Sequence, residues 1–274
     1  MTTQEKTGLS DADLIEDGVL VRRELDGPIA VLTLQSRPHN LLDPALTVQL
    51  TDALRWVTTS GARAAVLRSG LRNFSAGADL DRMLADTRGT DGVLDWPTLD
   101  LLRAFDGTPV PIVAAVHGIC VGGGLELALA SDIIIATESA KIGSVEGGVG
   151  LHPLMGGIQR VAQRAGAARA KEMAMLARRY DARTLERWNV INRVVGDEQL
   201  DVAALALARE LAGGPTVAIG ATKKLVSIAI SEGITAADEA MAELQRPIFR
   251  SEDFVTGVNS FKQNGPGLAR FEGK

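Results

Sequence analysis

Ile112-Val113-Ala114-Ala115-Val116-His117-Gly118-Ile119-Cys120-Val121-Gly122-Gly123-Gly124-Leu125-Glu126-Leu127 carries an aliphatic run into a glycine triplet, then into a second apolar run holding one acid. Five consecutive aliphatic residues, Ile112 to Val116, read as a buried strand. The triplet reads as a strand-to-helix turn, with a helix opening over Gly124–Ala130. Glycines leave backbone N–H groups open to a ligand, and the start of a helix adds partial positive charge. Glu126 lies two positions beyond Gly124 inside that apolar run. A carboxylate is not buried there without a purpose or a partner.

Working outward, Ala64-Ala65-Val66-Leu67 is a second short apolar strand, and it delivers the chain to another open segment, Asn73-Phe74-Ser75-Ala76-Gly77-Ala78-Asp79-Leu80. Two such segments can aim two N–H donors at one oxygen where negative charge develops. A second acid, Glu146, follows Glu126 by twenty residues in Gly143-Ser144-Val145-Glu146-Gly147-Gly148. A pair of carboxylates supplies a general acid and a general base.

The remaining chain reads as strand, strand, helix, repeated. Val19-Leu20-Val21 and Ile29–Leu34 read as strands joined at Asp26-Gly27. Asp43-Pro44 marks a helix start, and Leu46, Leu50, Leu54 and Val57 keep helical spacing to Thr59 before Gly61. Residues 81–95 are polar and glycine-interrupted and read as an irregular stretch. A helix follows around Leu99–Phe105, and Ile133–Ile135 and Lys141–Gly143 read as strands. Beyond Met155 the pattern becomes mostly helical, roughly over 156–165, 168–179, 182–188, 198–212, 215–231 and 234–249, with one strand near Val190–Val195. Crossovers of repeated ββα units take a right-handed course, so the repeat suggests a right-handed spiral.

Composition sets the outer bounds. The chain has 274 residues, of which 46% are hydrophobic, 4% aromatic and 23% charged, so the core should be aliphatic. A net charge of -5 argues against a nucleic-acid surface, which needs a basic stripe. The single cysteine, Cys120, allows no intramolecular disulfide and reads as a small apolar residue beside the glycines. Residues 1–17 read as a polar leader without the apolar stretch of a signal peptide. The longest uncharged run, Gly107–Leu125, is interrupted by Pro109, Pro111, His117 and five glycines, which suits a strand entering a turn rather than a membrane helix. A cytoplasmic location follows as the expectation. His39, His117 and His152 have no metal-ligand spacing, so no metal site is expected. Lys223-Lys224 reads as a solvated helix face.

These segments occur in order with Arg37-Pro38-His39-Asn40-Leu41-Leu42, Gly156-Gly157-Ile158-Gln159-Arg160, Asn189-Val190-Ile191-Asn192-Arg193-Val194-Val195 and Ser251-Glu252-Asp253-Phe254. Over nearly its whole length the chain resembles the enoyl-CoA hydratase/isomerase (crotonase) family. The resemblance implies an α/β crotonase-like spiral of repeated ββα units over 18–204, carrying the CoA-thioester site, with a helical C-terminal region over 205–274. It implies an acyl-CoA substrate, no separate cofactor, and homotrimers often paired into hexamers. By the family pattern Ala78 and Gly123 supply the two oxyanion N–H donors. Ala76, Asp79, Leu80, Gly122 and Leu154 fall at substrate-binding positions. Glu126 falls at the water-activating position and Glu146 at that of the acid serving the α-carbon.

One departure stands out. The family commonly has a Pro-Gly-x-Gly-Gly turn after its second glutamate, whereas this chain reads Pro153-Leu154-Met155-Gly156-Gly157. Leu154 stands where glycine is usual, so either the acyl pocket is reshaped or water is held less well. With both glutamates present, the resemblance implies an enoyl-CoA hydratase. It leaves open an isomerase, another CoA-thioester lyase or hydrolase on the same scaffold, or a non-catalytic acyl-CoA-binding protein.

Overall fold

The computed structural model describes residues 18–88 and 90–274. The expected polar leader over 1–17 lies outside the described residues. Edge strand β1 (Val21–Asp26) pairs antiparallel with β2 (Ile29–Leu34) across a two-residue turn at Gly27-Pro28. The strand expected over 19–21 instead runs to Asp26. Its outer residues, Arg22, Arg23 and Glu24, face solvent in part, so the hydrophobic alternation is lost and only pairing with β2 reveals the strand.

From β2 the chain enters α1 (Pro44–Thr59), whose N-cap Asp43 accepts the Leu46 N–H at 2.8 Å. It then builds β3 (Ala64–Ser69), α2 (Leu80–Thr87), α3 (Thr98–Gly107), β4 (Ile112–Val116), β5 (Ile119–Val121), α4 (Gly123–Ala130), β6 (Ile133–Thr137) and β7 (Lys141–Gly143). Next come α5 (Gly157–Leu176), β8 (Tyr180–Asp181), α6 (Ala182–Arg187) and β9 (Arg193–Val195). Four helices close the chain: α7 (Leu200–Ala212), α8 (Thr216–Ser231), α9 (Ile234–Arg250) and α10 (Glu252–Asn264).

The strands form two sheets. One has the order β1-β2-β3-β4-β6-β9, parallel from β2 onward, and the other has the order β5-β7-β8. Each turn of the spiral gives β4 then β5, or β6 then β7, so successive strands alternate between sheets. The large sheet is covered on both faces, which explains its unbroken aliphatic strands. Ala30, Leu32, Leu34, Ala114 and Val116 join α1 and α3 in the main core. Ile29, Val31, Val66, Val113 and Ala115 pack against Ala204, Ala208 and Ala212 of α7. Each fully buried Leu, Ile or Val contributes about 1.5–3 kcal/mol of transfer free energy.

Several sequence expectations change here. Residues 81–87, expected within an irregular stretch, are helical because Asp79 caps α2 by accepting the Arg82 N–H at 2.9 Å. The sequence looked polar because α2 has no buried residue. The expected gap between helices near 166 is a break inside α5 at Gly166, with φ 82° and ψ 161°. Helix α10 was not expected; Ser251 caps it through the Phe254 N–H at 3.1 Å. The strand expected over 190–195 shortens to Arg193–Val195, after Asn189 takes φ 62°.

Residue 205, the expected start of the helical region, falls inside α7, so that region joins the core through a helix packed on the sheet. Lys223 is not a solvated lysine: its Nζ donates to Asp132 Oδ2 at 2.9 Å and to the Val110 carbonyl at 3.2 Å, which ties α8 to the core. No single helix among the described residues is long and apolar enough to cross a membrane.

Candidate active site

Two backbone segments and two acids meet at one cavity. It has an empty volume of ≈ 760 Å³ counting its mouth, and Ala76, Gly77, Ala78, Gly122, Gly123, Glu126 and Glu146 are among its lining. The segment through Ala78 is pinned by a parallel bridge to Leu42. The Leu42 N–H donates to Gly77 O and the Asp79 N–H to Leu42 O, both at 2.8 Å. In such a bridge the middle residue turns its own N–H the other way, and among the described residues the Ala78 N–H has no protein acceptor.

The second segment is fixed similarly, by Val121 N–H to Ser75 O at 3.1 Å and Gly122 N–H to Gly143 O at 3.0 Å. Gly123 then opens α4, where the first N–H groups have no acceptor within the helix. The two segments touch: a Cβ on Gly123 would lie 3.8 Å from Ala78 N, and one on Gly124 would meet Ser75 O at 2.5 Å. Gly124 is therefore required for the close approach of the two segments.

Glu126 is 4% exposed. Its Oε1 accepts the Met155 N–H at 2.7 Å and the Gly157 N–H at 2.8 Å. Gly157 is the first residue of α5, so its N–H is an unused helix donor and the helix dipole favours a carboxylate there. Burial nevertheless dominates and raises the carboxyl pKa. The two N–H bonds oppose that shift, Glu146 adds to it and Arg160 opposes it. A Cβ on Gly157 would come within 2.6 Å of Glu126 Cγ, so only glycine lets this loop close over the acid.

Glu146 begins the 3₁₀ turn Glu146–Val149. Its Oε2 accepts the Ser144 hydroxyl at 2.8 Å, while Oε1 is shielded from solvent and takes no hydrogen bond from the described residues. A Cβ on Gly122 would sit 3.6 Å from that Oε1, which places the free oxygen beside the donor segment.

Of the substrate-binding expectations, Ala76, Leu80, Gly122 and Leu154 line the cavity. Asp79 does not: as the cap of α2 its carboxylate is engaged with Arg82 N. In the turn that departs from the family pattern, the hydrogen bonds to Glu126 come from Met155 and Gly157, while Leu154 presents its side chain to the cavity. Met155, whose bulk the departing turn implied, lines the cavity beside Leu154, whereas sequence reasoning missed Ser144, Met83, Leu94 and Trp96; only Ser144, two residues from Glu146, carried a local signal. His117 Nε2 pairs with Leu71 O at 2.7 Å, which is a structural role. Cys120 is buried, and burial raises its thiol pKa, which suits a packing role. Among the described residues no group of three or more His, Cys, Asp or Glu is placed to hold a metal ion.

Two packed backbone segments and two acids lining one largely apolar cavity make up the candidate site on this two-sheet spiral. The family model of enoyl-CoA hydratase/isomerase matches residues 24–272, and the chain belongs to that family. It is 35% identical over 248 residues to a protein named "probable enoyl-CoA hydratase" from Rhodobacter capsulatus, covering 90% of this chain and 96% of that one. It is 33% identical over 240 residues to the 1,2-epoxyphenylacetyl-CoA isomerase of Escherichia coli, covering 85% and 91%. The crystal structure of enoyl-CoA hydratase from Bacillus anthracis superposes with a TM-score of 0.81 at 25% identity, covering 93% of this chain and 100% of that one.

Proposed function

We propose that this protein is an enoyl-CoA hydratase, adding water reversibly to a trans-2-enoyl-CoA without metal or redox cofactor. The observation that carries the reading is the placement of Glu126 and Glu146 on one cavity with the Ala78 and Gly123 N–H groups. The thioester oxygen would accept both N–H groups, each worth about 3–4 kcal/mol once the oxygen becomes an enolate.

Glu126, ionised, would take a proton from water as the oxygen bonds to the β-carbon. Its Oε1 is already fixed by Met155 and Gly157, so the carboxylate needs no reorganisation. Electrons of the carbon–carbon double bond pass to the thioester oxygen, and Glu146 then serves as the acid that delivers a proton to the α-carbon. The product is a 3-hydroxyacyl-CoA, with the proton exchanged between the two acids.

The test is a panel of 2-enoyl-CoA thioesters followed by loss of the enoyl absorbance and by product mass. A gain of one water supports hydration. An isomer of unchanged mass would replace the reading with proton or ring rearrangement on the same scaffold.

A further inference from the structure

One wall of the cavity is built by residues the proposed catalysis does not use. Trp96 is 8% exposed and lines the cavity beside Leu80, Met83 and Leu94. A buried indole needs a partner for its N–H. Here Nε1 donates to Asp86 Oδ2 at 2.9 Å, and the same oxygen accepts Arg82 Nε at 2.8 Å. Arg82 and Asp86 are one turn apart on α2, and neither lines the cavity. The Arg82 hydrogen bond first, and the indole second, hold the Asp86 carboxyl below the usual carboxylate range.

The clamp is tied to the chemistry through the backbone. Asp79 caps α2 and directly follows Ala78, the first oxyanion donor. From Leu80 to Asp86 the helix rises about 9 Å at 1.5 Å per residue. One short helix therefore fixes both where a thioester carbonyl would sit and where the indole wall stands. Apart from Glu126 and Glu146 the lining has no charged residue, and Leu42, Val145, Val149, Leu151, Leu154 and Met155 complete an apolar surface.

We propose that Trp96, anchored through Asp86 and Arg82, is the stop that limits this site to short, uncharged, apolar acyl groups. The inference rests on the reading that the cavity takes an acyl-CoA thioester. Trp96 is the specificity-determining residue, and Asp86 is a positioning residue that acts through it. The exposed Arg82 serves to orient Asp86 rather than to stabilise the fold.

The experiment compares butanoyl-CoA with decanoyl-CoA, saturated thioesters that cannot add water, by calorimetry on the full chain. Crotonyl-CoA and trans-2-decenoyl-CoA are compared in parallel by kcat/KM. The wild type should favour the four-carbon group in both. Asp86→Ala and Trp96→Phe should each narrow that preference by at least about 10-fold, with affinity for free CoA unchanged. Asp86→Asn, which keeps an acceptor for the indole, should retain the preference. Equal binding of both chains by the wild type, or an unaltered ratio in Asp86→Ala, would overturn the clamp. Should Trp96→Phe fail to fold, the Asp86 pair decides, because that side chain lies outside the cavity. Chain-length discrimination without any water gain would leave the clamp standing and sink the hydratase reading. No binding of any acyl-CoA would sink both.

Discussion

The Ser144 hydroxyl donates to Glu146 Oε2 at 2.8 Å, leaving the shielded Oε1 as the free oxygen of that carboxylate. Ser144 is 4% exposed and directly follows β7, so its hydroxyl has little freedom. Once Glu146 has delivered its proton it is charged, and a hydrogen bond to a charged group contributes about 1.5–3 kcal/mol. Ser144→Ala should therefore lower kcat at least about 10-fold with little change in KM, and Ser144→Thr should recover much of the loss. A raised KM at unchanged kcat would show that Ser144 holds substrate rather than Glu146.

Glu126→Gln and Glu146→Gln should each lower kcat by at least ~100-fold, the scale of lost general acid–base catalysis. Substrate affinity should change little, since neither acid is asked to hold the CoA. Near-wild-type hydration by either variant would refute the two-acid mechanism.

The raised pKa of Glu126 gives a signed pH dependence. A base must be ionised, so kcat/KM for hydration should fall on acidification at a pH above the ordinary carboxylate value of 4.5. Stability runs the opposite way. The folded state binds the Glu126 proton more tightly than the unfolded chain, so this contribution is present below the unfolded pKa and is lost as pH rises through the folded one. Thermal melts should show Glu126→Gln more stable than wild type at pH 8, with the gap closing toward pH 4. A variant less stable at pH 8 would mean that the two N–H bonds outweigh burial.

Gly157→Ala should be costly in a small, specific way. The added Cβ would stand 2.6 Å from Glu126 Cγ, and relieving that overlap typically costs 1–3 kcal/mol. The melting temperature should drop and hydration should slow together, because the loop that holds Glu126 must retreat. Unchanged turnover would show that the Gly157 N–H is not needed to fix the base.

The family resemblance implies assembly into a homotrimer or hexamer, and the described residues leave an apolar surface that such assembly would cover. Met175 is 77% exposed and Ile234 69%, and Val226, Ile230 and Met241 are also open. Closed symmetry is the ordinary way to satisfy a repeated patch. Light scattering at micromolar concentration should give a trimer or hexamer mass; a monodisperse monomer would end the idea. Truncation after residue 205 should give insoluble protein, because it removes Ala208 and Ala212 from the second face of the sheet.

Much of this architecture was legible in the chain. Strands β2, β3, β4 and β6 declare themselves as aliphatic runs because both faces are buried, and Asp43-Pro44 sets the start of α1 by local capping. The glycine triplet, the Ala76–Asp79 segment and the spacing of Glu126 and Glu146 name the site, since backbone donors and acids are local properties of sequence. Edge strand β1 and helix α2 were hidden for the opposite reason: their residues are largely exposed, and partners distant in sequence or a cap decide their form. Only the tertiary structure brought Met155 and Gly157 onto Glu126, turned Ser144 toward Glu146, and closed the cavity with Trp96 held by Asp86. Those contacts depend on how the loops pack once the spiral has closed. Spacing along the chain fixes which groups are available, and packing fixes which of their atoms face each other.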